Sequence, residues 1–184
     1  ERYEAVEAAE GQLMTSPSNV RIAVEADRLG LWRLILHGHR ESGYFSLAPD
    51  RVEWWFDRLL NPHLIPEWDI GPRGAIGVIG PVGDVEVMAL LVFASYWYSH
   101  DKHLEEFLVC VDPEHRASGH AKALIAWMKE QSVLTGLPLV TGIMSNHRTE
   151  GKIRLYERLL PKAGAFFIFN GKGSVSQSSA AMAT

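Results

Sequence analysis

Small and basic residues occur together in the segment 114–122, a combination that suits a negatively charged ligand. The segment reads Glu-His-Arg-Ala-Ser-Gly-His-Ala-Lys. From Ala121 onward, Leu124, Ile125 and Met128 follow at the spacing of an amphipathic helix. The first turn of such a helix has backbone N–H groups without intrahelical partners, and these groups, together with the helix dipole, favour an anion. The segment therefore predicts a cradle for a phosphate or a pyrophosphate.

Individual residues of this segment support that prediction. Gly119 and Ala121 allow a ligand to approach the backbone closely, and Arg116, His120 and Lys122 can add positive charge. The segment lacks the Gly-Lys-Ser/Thr end of a Walker loop and the three glycines of a dinucleotide-binding turn. The alternative is an ordinary strand-to-helix turn in which the small residues only begin the helix.

The elements around this segment predict how it is positioned. Residues 103–111 are extended in character, and Asp112-Pro113 ends that strand. Residues 74–80 and 85–98 are apolar and are separated by a short turn, so they predict a hairpin whose long second strand is covered on both faces. The strand 103–111 then follows antiparallel, and the cradle begins at its end.

The full order of elements predicts an α/β sandwich, with one central, mixed, mostly antiparallel sheet of about six to seven strands flanked by about four helices. The domain spans residues 18–170, after an N-terminal extension at 1–17 and before a flexible Gly/Ser-rich tail at 171–184. Further strands are predicted at 20–24, 139–143 and 165–169, and helices at 27–40, 49–60, from 121 onward and at 149–160.

Composition restricts the class of protein. The chain has 184 residues, 47% of them hydrophobic and 22% charged, which is typical of one soluble globular domain. The net charge of −4 provides no basic field for nucleic acid, and no apolar run approaches the ~18 residues of a membrane helix. Cys110 is the only cysteine, so no internal disulfide can form and a reducing, cytoplasmic location is expected.

The six residues Arg116-Ala-Ser-Gly119-His-Ala121 resemble the acetyl-CoA-binding signature of the GNAT N-acyltransferase superfamily, Arg/Gln-x-x-Gly-x-Gly/Ala. The element order is also similar to that of GNAT proteins, so the resemblance covers residues 18–170. A second family pattern is similar to Asn146, Tyr156-Glu-Arg-Leu and Gly164-Ala-Phe166, although Leu160-Pro-Lys162 intervenes where the family goes directly to Gly-Phe. The overall pattern is similar to that of members encoded by tailed phages.

This resemblance implies acetyl-CoA as the co-substrate, an amine as the acceptor and direct transfer between them in a ternary complex. It leaves the acceptor unidentified and is compatible with a homodimer. The implied donor site consists of the backbone of Val109 and Val111, the side chain of Asn146 and the cradle residues Arg116, Ala117, Ser118, Gly119, His120, Ala121 and Lys122.

The resemblance also implies a general base on the fourth strand and a general acid on the last helix. Glu105 and Glu106 are neighbours on a strand and face opposite ways, so only one can enter the cleft. Glu105 shares its parity with Val109 and Val111 and is the first candidate for the base, with Glu106 and the nearby histidines as alternatives. Tyr156 is the candidate acid, and its alternative role is a core aromatic.

In the family, the first two helices and their loop form the acceptor pocket. Here these elements contribute His37 and His39 and several aromatic residues, which suit an apolar or planar acceptor. The aromatic residues are Trp32, Tyr44, Phe45, Trp54 and Trp55.

Two other interpretations stay open beside the proposed acyl transfer, whereas a metal site is not expected. A non-catalytic GNAT-fold module would bind CoA or a protein partner without turnover. Basic residues on the last helix would suit a nucleotide or nucleic-acid amine, although the acidic balance argues against binding duplex DNA. The closest histidine pairs, His37 with His39 and His100 with His103, lack the spacing of a zinc or iron site, so no metal is expected.

Overall fold

The structure is a computed structural model and describes residues 19–67, 69, 71–165 and 167–168. The predicted extension at 1–17 and the predicted tail at 171–184 lie outside these residues. The described elements are, in chain order, β1 (Arg21–Ile22), α1 (Arg28–Ser42), α2 (Pro49–Leu60), β2 (Gly74–Ile79), β3 (Val87–Ser95), β4 (Lys102–Val111), α3 (His120–Thr135), β5 (Leu139–Val140) and α4 (Thr149–Leu159).

The five strands form one sheet in sequence order, which confirms the predicted mixed, mostly antiparallel α/β sandwich. Strands β1 to β4 pair antiparallel, and β5 pairs parallel to β4. The predicted count of six to seven strands is too high for the described residues. Ala165, Phe167 and Ile168 of the predicted final strand are not in a strand, while Phe166 and Phe169 lie outside the description.

Each face of the sheet carries one pair of helices and one apolar core. Helices α1 and α2 cover the first face, where Leu31, Leu34 and Phe56 are buried together. Helices α3 and α4 cover the second face, and Trp127 of α3 is fully buried there. The strands β2 and β3 are buried almost throughout because both faces are covered, as their continuous apolar sequences predict.

Strand β5 is much shorter than predicted, and this shapes the molecule. It pairs with β4 only at Leu104 and Glu105, and the chain then leaves the sheet. Residues 106–111 of β4 consequently have no strand beside them on that edge within the described part of the chain. An unpaired strand edge exposes backbone N–H and C=O groups to any extended ligand that lies against it.

A buried carboxylate joins the start of the sheet to the turn before β3. The side chain of Asp27 is fully buried and accepts two hydrogen bonds from the Arg21 guanidinium, at 2.7 and 2.9 Å. It also accepts hydrogen bonds from the backbone N–H groups of Val24 and Gly83. Burial by itself would raise the pKa of Asp27, but the hydrogen bonds from Arg21 and the backbone outweigh it, so the pKa is lowered.

Replacing Asp27 by asparagine should lower the free energy of unfolding by about 3 kcal/mol, because it removes the buried carboxylate that pairs with the Arg21 guanidinium. In the wild-type protein this contribution is present above the unfolded-state pKa and is lost as the pH falls through the lowered folded-state value. Urea unfolding at neutral and acidic pH measures both effects. Asp84→Asn, which removes an exposed partner of Arg33, is the control and should change stability by less than about 1 kcal/mol. Equal losses in the two variants would contradict the prediction.

Candidate active site

The separation of β4 from β5 opens a cavity of about 690 Å³. One wall is the edge of β4 at residues 105–111, which is unpaired from residue 106 onward, and the opposite wall is the segment 140–145, from the last residue of β5. Helix α1 and the first two turns of α4 close the remaining sides. The cavity is lined by Val109 and Val111, which were predicted for the donor site, and the shortness of β5 creates it.

An extra residue in β4 determines which of the two glutamates lies on the same face of the sheet as Val109 and Val111. Leu90 of β3 is opposite Leu108, but the next residue of β3, Leu91, is opposite Glu106, so Phe107 has no partner. Such a bulge reverses the alternation of side chains. The expectation that Glu105 shares a face with Val109 and Val111 is therefore wrong, because Glu106 takes that face instead.

Glu106 is buried, with 9% of its surface exposed, and contacts a polar side chain of α4. The hydroxyl of Tyr156 donates a hydrogen bond of 2.9 Å to Glu106 Oε2. Burial raises the pKa of Glu106 from its ordinary value of 4.5 to about 7, although the hydrogen bond from Tyr156 acts in the opposite direction. The pKa of Tyr156 is also raised, first by burial and then by the neighbouring carboxylate. Helix α4 and strand β4 thus bring together two of the three predicted catalytic residues.

Glu105 lies in a different environment. Its side chain is 41% exposed, and its carboxylate lies 3.7 Å from Nε2 of His103. His103 itself is buried and stacks on Tyr96 with the ring centroids 4.8 Å apart. Glu105 also lines the cavity, but at its solvent-exposed part rather than beside Tyr156.

The predicted cradle begins directly after β4. Oδ1 of Asp112 accepts a hydrogen bond from the N–H of Glu114 and so caps the short turn Pro113–His115. Gly119 is the N-cap of α3 with φ +82°, a left-handed conformation that favours glycine. A Cβ at Gly119 would meet nothing within 4 Å, so the backbone is open to a ligand.

Three backbone donors remain at this helix start. The N–H of His120 donates to Ser118 Oγ, and the first backbone bond of the helix runs from the N–H of Ala123 to the carbonyl of Gly119. The N–H groups of Gly119, Ala121 and Lys122 have no acceptor among the described residues. These groups are what an anionic phosphate needs, so the backbone of the cradle fits its predicted role.

Two of the predicted cradle side chains, those of Arg116 and His120, contact carboxylates of other elements. Arg116 forms an ion pair with Glu41 of α1 and lies 3.5 Å from Nε2 of His147. Nε2 of His120 lies 2.6 Å from Oε2 of Glu86. Sequence reasoning missed both glutamates because they are far from the segment along the chain, and no local signal marks them.

The remaining predicted donor-site residues divide into two groups. Val109, Val111, Arg116 and Ala121 line the cavity, whereas Ala117, Ser118, Gly119, His120 and Lys122 lie beside it in the loop and at the helix start. Asn146 does not line the cavity and is exposed; its Nδ2 lies 3.4 Å from the position of a Cβ on Gly43. Its neighbours Ser145 and His147 line the cavity instead.

Cys110 is buried, as its strand position predicts, and is poorly suited to act as a nucleophile. Burial raises the pKa of its thiol to about 12, so the reactive thiolate is scarce near neutral pH. A Cβ on Gly38 would lie 2.4 Å from Sγ of Cys110, so glycine is required there for α1 to pack against β4.

The acceptor end of the cavity differs from the aromatic pocket that the sequence predicted. His37, His39 and Glu41 of α1 line it, but Trp32, Tyr44, Phe45, Trp54 and Trp55 do not. Trp32 donates to Glu53 and packs against Phe56, while Trp54 lies over the Arg58 guanidinium. The cavity wall is thus polar near α1, with Phe107 and Tyr156 as its aromatic residues in the described part of the chain.

Comparisons with known proteins give one family match and several proteins of similar fold. The model of the acetyltransferase (GNAT) family matches residues 36–160, and a search of curated proteins gives no match. An acetyltransferase from Trypanosoma brucei is 20% identical with a TM-score of 0.56, covering 82% of this chain and 96% of that one. A ribosomal-protein-alanine N-acetyltransferase from Brucella melitensis is 15% identical with a TM-score of 0.57, covering 83% and 98%. An aminoglycoside 6'-N-acetyltransferase from Acinetobacter haemolyticus is 12% identical with a TM-score of 0.57, covering 84% and 98%.

Proposed function

Because the chain belongs to the acetyltransferase (GNAT) family, and is therefore an enzyme of acyl transfer, we propose that it transfers the acetyl group of acetyl-CoA to a primary amine by direct attack in a ternary complex. The observation that carries this proposal is the hydrogen-bonded pair of Glu106 and Tyr156 in the cavity between β4 and β5. Two of the solved neighbours have names that denote amine acceptors, a ribosomal-protein alanine and an aminoglycoside, which supports an amine here.

The donor site combines the cradle with the edge of β4. Acetyl-CoA supplies the thioester. The free N–H groups of Gly119, Ala121 and Lys122 would hold its pyrophosphate, and the edge of β4 at Val109 and Val111 would hold the extended arm. Arg116 would act mainly by fixing the loop to α1 through Glu41, since its guanidinium is already paired.

Glu106 is suited to accept the proton that the attacking amine loses. With a pKa of about 7, it is about half deprotonated at neutral pH and is then close to ideal for a general base. Glu105, with its exposed carboxylate, would instead attract a cationic acceptor to the open part of the cavity.

Tyr156 is suited to donate a proton to the departing thiolate. Its raised pKa keeps it protonated in the resting site, where its hydroxyl donates to Glu106. When Glu106 takes up the proton of the amine, the carboxylate charge that helps to raise the pKa of Tyr156 is removed, and the hydroxyl becomes a stronger acid as the thiolate departs. A proton taken up by Glu106 can return to Tyr156 along this 2.9 Å hydrogen bond after the thiolate has been protonated. The amine thus forms the new C–N bond, the C–S bond breaks, and the pair moves one proton from nitrogen to sulfur.

Replacing Tyr156 by phenylalanine should lower kcat by about 10²-fold, the lower end of the range for general acid–base catalysis, while changing acetyl-CoA affinity less than about twofold. The ring stays, so its packing against the core is kept. Initial rates of thiol release and calorimetric binding of acetyl-CoA measure the two quantities. Unchanged turnover would show that Tyr156 is only a core aromatic.

The proposal is tested by thiol release from acetyl-CoA with a set of primary amines: a peptide N-terminus, lysine, a polyamine, an aminoglycoside and a nucleotide amine. We expect release that depends on one amine class, with the product's mass increased by one acetyl group. Tight acetyl-CoA binding without release for any class would support the non-catalytic binding module instead. Acetylation of the nucleotide amine alone would support the nucleotide interpretation.

A further inference from the structure

Two histidines of the cradle segment and one glutamate meet outside the cavity. Glu86 lies just before β3, His115 ends the turn Pro113–His115, and His120 is the first residue of α3. Nε2 of His120 lies 2.6 Å from Oε2 of Glu86, and Nδ1 of His115 lies 3.3 Å from the same oxygen. One potential ligand atom from each residue lies within 4.8 Å of the other two.

We propose that Glu86, His115 and His120 form a binding site for a divalent transition-metal ion of the zinc class. Two imidazole nitrogens and one carboxylate oxygen are a ligand set that zinc prefers, whereas magnesium and calcium prefer oxygen ligands only. Three protein ligands leave a fourth position for water or an anion. This site lies apart from the proposed catalytic pair, and nothing in the proposed acyl transfer requires it.

The observed distances are close to those of a loaded site. In a tetrahedral zinc site with ligand bonds of about 2.0–2.1 Å, neighbouring ligand atoms lie about 3.3 Å apart. The distance from Glu86 Oε2 to Nδ1 of His115 already has this value. The distance from the same oxygen to Nε2 of His120 needs to widen by less than about 1 Å. The centroids of the two rings lie 5.8 Å apart, close enough for a nitrogen of each ring to reach one ion at bonds of about 2.0–2.1 Å.

Hydrogen bonds of the backbone hold all three ligands in place before any ion binds. The N–H of Glu86 donates to Ile79, and its carbonyl accepts from the N–H of Asp112. Ser118 links the two histidines, because its hydroxyl donates to the carbonyl of His115 and accepts from the N–H of His120. These bonds hold the backbone of the three residues, so an ion has only side chains to order.

The three side chains are also accessible to an ion from solvent. They are 26%, 39% and 16% exposed for Glu86, His115 and His120. Within residues 19–67, 69, 71–165 and 167–168, no second group of three such ligands occurs. An ion bound here would join the start of β3 to both ends of the segment 116–119 and so hold the loop of the cradle.

The test uses the full chain without a histidine tag, after treatment with a chelator. Calorimetric titration with zinc chloride should show one ion per chain, and cobalt(II) should give the visible absorption of a low-symmetry site with nitrogen ligands. His115→Ala and His120→Ala should each weaken zinc binding at least about tenfold. His63→Ala, which removes an exposed histidine on the turn Pro62–Leu64, should leave the affinity unchanged.

Two results would overturn the proposal. The first is the absence of stoichiometric zinc binding by the wild-type chain. The second is an affinity that stays the same in both His115→Ala and His120→Ala while circular dichroism shows that each variant is folded. Glu86→Gln keeps the shape of the side chain and removes its charge, so weaker zinc binding in this variant would support the carboxylate as the third ligand. Thiol-release activity plays no part in these measurements, so failure here is independent of the proposed acyl transfer.

Discussion

Glu106→Gln is expected to lower kcat/KM by about 10²–10⁴-fold, the range of a lost general base. Glutamine keeps the volume of the side chain and an oxygen that can accept the hydrogen bond from Tyr156, so the cavity should keep its shape. In the wild-type enzyme, the carboxylate must be deprotonated to act. Activity should therefore rise as the pH increases to about 7 and level off above it, and the variant should lose this inflection.

The control for this prediction is Glu105→Gln, which changes the neighbouring and exposed carboxylate. It should keep the inflection near pH 7 and lose much less activity, because Glu105 does not contact Tyr156. Initial rates of thiol release across the pH range measure both variants. A larger loss of activity in Glu105→Gln than in Glu106→Gln would show that Glu105, not Glu106, is the general base.

The free energy of unfolding of Glu106→Gln distinguishes the loss of a general base from misfolding of the variant. Between pH 4.5 and about 7 the folded chain holds a proton on Glu106 that the unfolded chain has released, so burial of this group costs stability as the pH rises. The cost reaches about 3 kcal/mol above pH 7, because each unit of pKa shift corresponds to about 1.4 kcal/mol. Glu106→Gln removes this cost and should be more stable than the wild type above about pH 7, although it is nearly inactive.

Gly119→Glu is expected to weaken acetyl-CoA binding by on the order of 100-fold or more, or about 2.7 kcal/mol. A carboxylate at this position lies at the start of α3, beside the N–H groups that would hold the pyrophosphate, and repels it. It can also accept hydrogen bonds from those same N–H groups and so compete with the phosphate. Calorimetric titration with acetyl-CoA measures the change.

A second glycine of the same helix provides a matched control. Gly136 ends α3 with φ +67°, and a Cβ there also meets nothing within 4 Å. Gly136→Glu therefore imposes a similar backbone cost of about 1–2 kcal/mol but places the charge at the far end of the helix. It should bind acetyl-CoA like the wild type. Equal losses of affinity in the two variants would show that strain, not charge at the cradle, is responsible.

Much of the fold was predictable because local sequence signals determine it. The apolar run of β3 indicates a strand covered on both faces, and the spacing from Ala121 to Met128 indicates the helix that follows the cradle. The short β5 was not predictable, because Leu139, Val140 and Ile143 indicate a strand through residue 143 and only tertiary structure makes the chain leave the sheet after Val140. For the same reason, the apolar residues from 165 onward predict a strand that the described residues 165, 167 and 168 do not form.

The candidate site was only partly predictable for a similar reason. The cradle is continuous in sequence, so its residue types and spacing identify it. The choice between Glu105 and Glu106 depends on the bulge at Phe107, and no residue near it gives a clear sign of the reversal. The partners Glu41 and Glu86 lie on other elements, so the contacts they make with Arg116 and His120 appear only in three dimensions.

The most direct test of the central claim is calorimetric titration of the full wild-type chain with acetyl-CoA. The proposed donor site predicts one molecule bound per chain with a dissociation constant in the micromolar range. It also predicts weaker binding of S-acetyl-pantetheine, which lacks the pyrophosphate, because the free N–H groups at the start of α3 would then have no anion. No heat of binding at millimolar acetyl-CoA would contradict the donor site, and with it the proposed acetyl transfer.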